Sequence, residues 1–305
     1  MKYPIRAILS ALCILCAVPG IAKAAVSVKV VTTQAIFADL VRQVGGDRVE
    51  VHAIAPPRFN VHFIQPKPSD VRKVAKADLY VNAGLDLEAW SDPLLEAAGK
   101  PDLFRGGPRN LDLSKGIDLL KVSDHAPSRS EGDIHLFGNP HYHMDPRNGG
   151  ALVRAISEKL KEIDPEGASE YEAAASSFLG RLETKIAEWK RQCSHCEGQE
   201  VVSYHDDIEY LAVFLGMNAH MFLEPKPGIP PTAKHLAALE EDARSHGVKA
   251  VIQSTYYDRS TADHIAEKIG ARVVLIAQNA GELPDTGTYL GFFDANVRLI
   301  SEALK

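Results

Sequence analysis

Three histidines stand in local contexts that could do metal chemistry: His62 in PRFNVHFIQPKPSD, His141 in GNPHYHMDP and His205 in VVSYHDDIEYLAVFLG. Neutral imidazole is the commonest side-chain ligand for late first-row divalent metals, and three such nitrogens leave a tetrahedral ion one further position to fill. Read together, they predict a metal site, with Zn²⁺ as the ion. Any one of them alone would be an ordinary loop or junction histidine.

His62 is bracketed by Pro56-Pro57 and by Gln65-Pro66-Lys67-Pro68. Proline excludes it from a helix interior or a central strand, so a rigid loop leaving a parallel strand is expected, where open α/β sheets bind their ligands. His141 and His143 form HYHMD, and alternation along an extended segment would turn both rings to one side. The H-x-H-x-D run is similar to the metal-binding start of metallo-β-lactamase-type hydrolases, but Pro146 stands where that pattern wants another histidine. One ring of the pair is then enough as a ligand, and His143 is expected to pack or hydrogen-bond beside the site. His205 follows the apolar Val201-Val202 and opens a helix through Asp206 and Asp207, acids that could orient the imidazole or cap the helix.

The elements that must position these residues alternate strand and helix. Val26 to Thr32, Arg48 to Ile54 and Leu79 to Ala83 read as strands, with helices at Ala35 to Val44 and Pro68 to Ala77, where the Ser69 oxygen could satisfy an orphan amide of the first turn. The second half repeats the plan. Strands are expected at Glu200 to Ser203, Val248 to Ser254 and Arg272 to Ile276, and helices at Asp207 to Leu215, Pro231 to Ser245, Ser260 to Ile269 and Tyr289 to Leu304. Such alternation gives parallel sheets, hence an α/β fold of two lobes, each a small, mostly parallel sheet flanked by helices. Between them Tyr171, Ala175, Phe178, Leu182, Ile186 and Trp189 recur at spacings of four and three, the period of one helix face. A helix from Ala168 to Gln192 would reach nearly 40 Å at 1.5 Å per residue, long enough to join two lobes rigidly. The expected division is a signal over 1–24, an N-terminal lobe over 25–165, the connecting helix over 166–192 and a C-terminal lobe over 193–305.

Residues 1–24 begin with Lys2 and Arg6, run apolar from Ala7 to Val18 and end in Ala22-Lys23-Ala24, a secretory leader that sends the mature chain to the periplasm. Its removal takes three basic residues and no acid, moving the formal net charge from −6 to −9. Nucleic acid and anionic membrane are poor partners for that balance. Two of the four cysteines, Cys193 and Cys196, remain in QCSHCEG. An oxidising compartment favours a short-loop disulfide, the alternatives being a redox pair or an auxiliary metal site shared with His195. Val122 to Pro140 is rich in Ser, Gly, Pro and charge and reads as a surface loop, carrying His125 and His135 just upstream of His141, where they could help collect an ion.

The segments NVHFIQPKPSDVRKVAKADLYVNAGLDLEAW, NPHYHMDPRNG, VVSYHDDIEYLAVFLG and GTYLGFFDANVRLISEAL resemble, in order and spacing, the periplasmic solute-binding proteins of zinc and manganese ABC transporters, the cluster A-I family. The resemblance covers essentially the whole mature chain. It implies two α/β lobes joined by one rigid helix, with a single metal in the cleft passed to an inner-membrane ABC permease, and no enzymatic activity. His62, His141 and His205 fall on the family's first three ligand positions. Manganese-type members pair two histidines with two carboxylates, so a histidine in third place points to the zinc branch, with Mn²⁺ less favoured. Where relatives carry an aspartate ahead of the last helix, this chain reads LIAQNAGELPDTGTY. Glu282, the nearest carboxylate, is then the leading fourth ligand, and Asp285, water or the Tyr257-Asp258 pair are the alternatives. A monomer is expected, and a periplasmic metallochaperone is a further candidate partner. The rival function is a secreted zinc hydrolase in which the open position holds a reactive water.

Overall fold

The computed structural model describes residues 27–122, 137–226 and 228–305. The leader, His125 and His135 lie outside the described residues. In the first half, strands β1 (Val28–Thr32), β2 (Val49–Ala53), β3 (Leu79–Asn82) and β4 (Asn110–Asp112) alternate with helices α1 (Ala35–Gly45), α2 (Pro68–Ala75) and α3 (Ser91–Ala98). The strands form one parallel sheet in the order β2-β1-β3-β4. Helix α4 (Gly149–Ile163) leads into α5 (Ala168–Gln192), 25 residues long. The second half follows with β5 (Glu200–Ser203), α6 (Glu209–Leu215), β6 (Asn218–Phe222), α7 (Ala233–Ser245), β7 (Ala250–Ser254), α8 (Arg259–Ile269), β8 (Arg272–Ile276) and α9 (Tyr289–Ala303). Its parallel sheet runs β6-β5-β7-β8, the same order counted from the start of each half. The fold is thus α/β, two parallel four-stranded sheets linked by one long helix. In this order the first strand of each half lies between the second and the third, so the chain leaves in opposite directions and a crevice opens at the strands' carboxyl ends.

Short strands were the hardest to read. β4 has three residues and β6 carries Asn218 and His220, so neither offers an apolar run. α2 begins at Pro68, as the expected bounds have it, with Lys67 rather than Ser69 at the cap: proline's fixed φ suits the first helical position, and the Asp70 carboxylate accepts from the Lys67 amide at 2.7 Å. α6 starts two residues later than expected because Asp206–Ile208 forms a separate 3₁₀ turn.

One continuous core runs through both sheets. Val30 and Val81 of the first, Val201 and Ile252 of the second, and Tyr171, Phe178 and Trp189 of α5 belong to a single buried cluster, with a smaller one under α7 and α8. Trp189 packs on Phe293 of α9, ring centroids 5.2 Å apart, and its indole N–H donates to Asp294 at 2.8 Å. Two helix starts are satisfied across the halves. Asn279, beyond β8, accepts from the Ile36 amide at 2.8 Å, while Asp39 of α1 accepts from the Tyr289 amide of α9 at 2.8 Å. Each bond supplies an acceptor to an otherwise orphaned first-turn donor, so the two halves hold one another's helices.

Cys193 and Cys196 form a buried disulfide just past α5, Cα atoms 5.2 Å apart. A loop this short restricts the unfolded chain only modestly, so replacing both cysteines with serine should lower unfolding free energy by about 2 kcal/mol. Urea denaturation of the double variant measures this, and an unchanged midpoint would deny the bond a stabilising role.

Candidate metal centre

His62 sits in a 3₁₀ turn, Val61–Phe63, that follows β2. The turn is pinned on both sides: Asn60 Oδ1 accepts from the His62 amide at 3.0 Å, and the Trp90 indole donates to the Val61 carbonyl at 2.7 Å. His141 lies between β4 and α4 and is 3% exposed. Asn139 Oδ1 accepts from its amide at 2.9 Å, while the same side chain donates to the Asp206 carbonyl at 2.8 Å and to Glu209 at 2.9 Å. One amide thereby fixes His141 against the turn that follows His205. His205 itself emerges from the carboxyl end of β5, 5% exposed, its carbonyl accepting from Ser203 Oγ at 2.7 Å.

The three imidazoles meet. One ligand atom from each lies within 4.8 Å of the others, and ring centroids are 5.3 Å (His62–His141), 5.5 Å (His141–His205) and 5.7 Å (His62–His205) apart. Imidazoles bound to one tetrahedral ion at about 2.1 Å place their centroids about 5 Å apart, so this triangle needs little contraction to hold a zinc-sized cation. The adjoining cavity, about 30 Å³, is lined by Asn60, His62, Phe63, His205, Glu224, Gly228 and Tyr257, enough for a water or two. Phe63 is 63% exposed, an apolar edge beside the opening.

Around His205 the field is strongly acidic. Glu224 Oε2 is 2.9 Å from Nδ1, and Asp206 Oδ1 is 3.1 Å from Nε2. Burial by itself would lower the imidazole pKa, but the Glu224 hydrogen bond and the charges of Asp206 and Asp207 outweigh it and push it up to about 9. Asp207, buried beneath, is pushed up to about 7, chiefly by burial. Glu224 was not legible in the sequence. Its link to His205 arises because β6 lies beside β5, and a glutamate after a half-polar strand carries no signal of that neighbour.

His143 does not join the triangle. The segment Tyr142–Met144 is a 3₁₀ turn rather than an extended strand, so the expected alternation does not apply. Its Nε2 faces the Gln278 carbonyl at 3.2 Å and its ring meets Phe37 edge-on. Full burial pulls its pKa down to about 4, which keeps it neutral. It joins the His141 turn to the segment after β8.

Glu282, the leading expectation for the fourth ligand, stands outside the triangle. Its Oε1 accepts from the amide and hydroxyl of Thr255 at 3.1 and 2.6 Å, and its Oε2 from the Gln278 and Asn279 amides at 2.7 and 3.2 Å. Four donors occupy the carboxylate's acceptor positions. The residue braces the ends of β7 and β8 against each other, and Asn279, where an acid was expected, caps α1.

A family model described as zinc-uptake complex component A, periplasmic (ZnuA) matches residues 30–303. The high-affinity zinc uptake system protein ZnuA of Bacillus subtilis (strain 168) is 25% identical over 271 residues, 87% of this chain and 83% of that protein. The iron-binding protein YfeA of Yersinia pestis is 25% identical over 283 residues, 90% of this chain and 85% of that protein. A crystal structure of ZnuA, 22% identical, superposes with a TM-score of 0.76 over 92% of this chain and all of that one. Relatives named for zinc and for iron both match across most of this chain, so the fold alone does not select the ion. Matched over nearly its whole described length and carrying three converging imidazoles between paired parallel sheets, this chain belongs to the ZnuA family of periplasmic metal-binding components of ABC transporters.

Proposed function

We propose that this protein captures Zn²⁺ in the periplasm through His62, His141 and His205 and delivers it to an inner-membrane ABC permease. The observation that carries the reading is the trio of imidazoles that bring one nitrogen each within 4.8 Å of the others. Nitrogen donors without a carboxylate favour zinc over manganese, while the Irving–Williams order lets copper or nickel bind in a test tube. With Glu282 engaged by four donors, water in the adjoining cavity is the fourth ligand. The leader over 1–24 is cleaved on export, the lobes divide at 25–165 and 193–305 about the 166–192 helix, and the protein acts as a monomer. His143 and Asp206 support the ligands from outside the set, and His135 belongs to a segment that brings ions toward the cleft. The hydrolase alternative gains nothing from relatives that are transport components.

Metal-free protein titrated with Zn²⁺ should bind one equivalent. At a free zinc concentration 1,000 times Kd, the folded state gains about 4 kcal/mol, seen as a higher Tm in calorimetry. No thermal shift with Zn²⁺, or a larger shift with Mn²⁺, would overturn the assignment.

A further inference from the structure

We infer that Glu224 is a positioning residue for metal capture, fixing which nitrogen of His205 is offered to the ion. This rests on the zinc-capture reading and adds to it a determinant outside the ligand set.

Glu224 directly follows the Leu223 amide, which donates to the Ser203 carbonyl at 2.8 Å, and its own amide donates to the Tyr204 carbonyl at 3.0 Å. Its backbone is therefore fastened to the strand end from which His205 emerges. Its Oε2 meets His205 Nδ1 at 2.9 Å and also accepts from the Gly228 amide at 3.3 Å. Gly228 has a φ of 74°, a left-handed conformation that glycine adopts without strain and that lets its amide reach the carboxylate. The side chain is 11% exposed, so the interaction is only weakly screened by solvent.

A neutral imidazole carries one N–H. A carboxylate held against Nδ1 keeps the proton there and leaves the Nε2 lone pair for the metal, while adding electron density to the ring. Among the described residues Glu224 is the acceptor hydrogen-bonded at His205 Nδ1, whereas Asp206 Oδ1, 3.1 Å from Nε2, makes no hydrogen bond to it. Losing Glu224 frees the ring to exchange tautomers and to rotate, so part of the population offers the metal an N–H. Removal of such a partner characteristically weakens metal binding about 10- to 100-fold.

The test compares wild type, Glu224→Ala and Glu224→Gln by chelator-competition titration with Zn²⁺, by zinc release rate, and by ¹⁵N imidazole spectra of the zinc-loaded proteins. Compared at a pH high enough that His205 is neutral before zinc arrives, Glu224→Ala should bind about 10- to 100-fold more weakly, release zinc faster and lose the single Nδ1–H signature of His205. Glu224→Gln keeps an acceptor without the charge, so it should retain the tautomer with a smaller loss of affinity. The Tm of the metal-free proteins is read alongside. If Glu224→Ala fails to fold, Glu224→Gln decides alone: weaker binding with the tautomer kept supports the role, and wild-type affinity overturns it. Equal affinity and identical spectra in both variants overturn it as well. Failure of the wild type to bind zinc would instead refute zinc capture and leave the His205–Glu224 geometry untouched.

Discussion

Replacing His62, His141 or His205 singly with alanine lowers zinc affinity by about 10²- to 10³-fold. Zinc bound by a small set of protein ligands gains about 10 to 16 kcal/mol near neutral pH, so each of three or four donors accounts for about 3 to 4 kcal/mol. The three positions will not respond alike. All three are held by a hydrogen bond to a neighbouring polar side chain, but His141 and His205 are buried whereas His62 is only partly buried on a short turn. Removing His141 or His205 also leaves a hole that water must fill, while at His62 a solvent molecule can take the vacated position more readily. The ordering expected is therefore a smaller loss for His62→Ala than for the other two. Competition against a chelator of known zinc affinity, with circular dichroism as a control for folding, measures all three. Affinity unchanged in any one of them removes that residue from the ligand set, and affinity unchanged in all three removes the site.

His143→Ala serves as the contrast. Its ring meets the Gln278 carbonyl and Phe37 and is not one of the three converging imidazoles, so its loss should appear chiefly as lower stability of the metal-free protein. The motif HYHMD alone offers two similar histidines, and it was the resemblance that assigned His141 to the ligand set and left His143 beside it. A 3₁₀ turn, not a strand, decides between them, and three-residue turns leave no periodic trace.

What sequence pattern could reveal follows from how each feature is encoded. The parallel strands and the long helix are written as local periodicities, so Val28–Thr32, Ala250–Ser254 and Ala168–Gln192 were all legible to within a residue or two. The three histidines were legible because each sits beside a marker of fixed backbone: prolines near His62, Asn-Pro before His141, and an apolar strand before His205. Partners distant along the chain were not legible. Asn279 caps a helix 243 residues away, Asp39 reaches 250 residues to Tyr289, and Glu224 reaches His205 through the pairing of neighbouring strands. Glu282 misled for the same reason: nearness along the chain to an expected ligand position says nothing of the four donors that surround it in space.

Zinc affinity should also rise steeply with pH, and the sign follows from His205. Its pKa in the metal-free protein is pushed up to about 9, since Glu224, Asp206 and Asp207 outweigh the effect of burial. At pH 7 the ring therefore carries both protons, and Zn²⁺ can reach Nε2 only when one leaves. The metal-free state binds one proton more than the loaded state, so affinity falls about tenfold for each pH unit below 9 and levels off above it. Between pH 8 and pH 6 this residue alone should weaken binding about 100-fold. Calorimetry at pH 7 in two buffers of different ionisation enthalpy should report release of close to one proton from this group. Glu224→Gln, which removes one of the charges that raise the pKa, should shift the levelling-off to lower pH even as it weakens binding at the plateau. A flat affinity between pH 7 and 9 in the wild type would mean that His205 is already neutral before the ion arrives. The acidic surround would then act only to orient the ring, with no part in coupling capture to proton release.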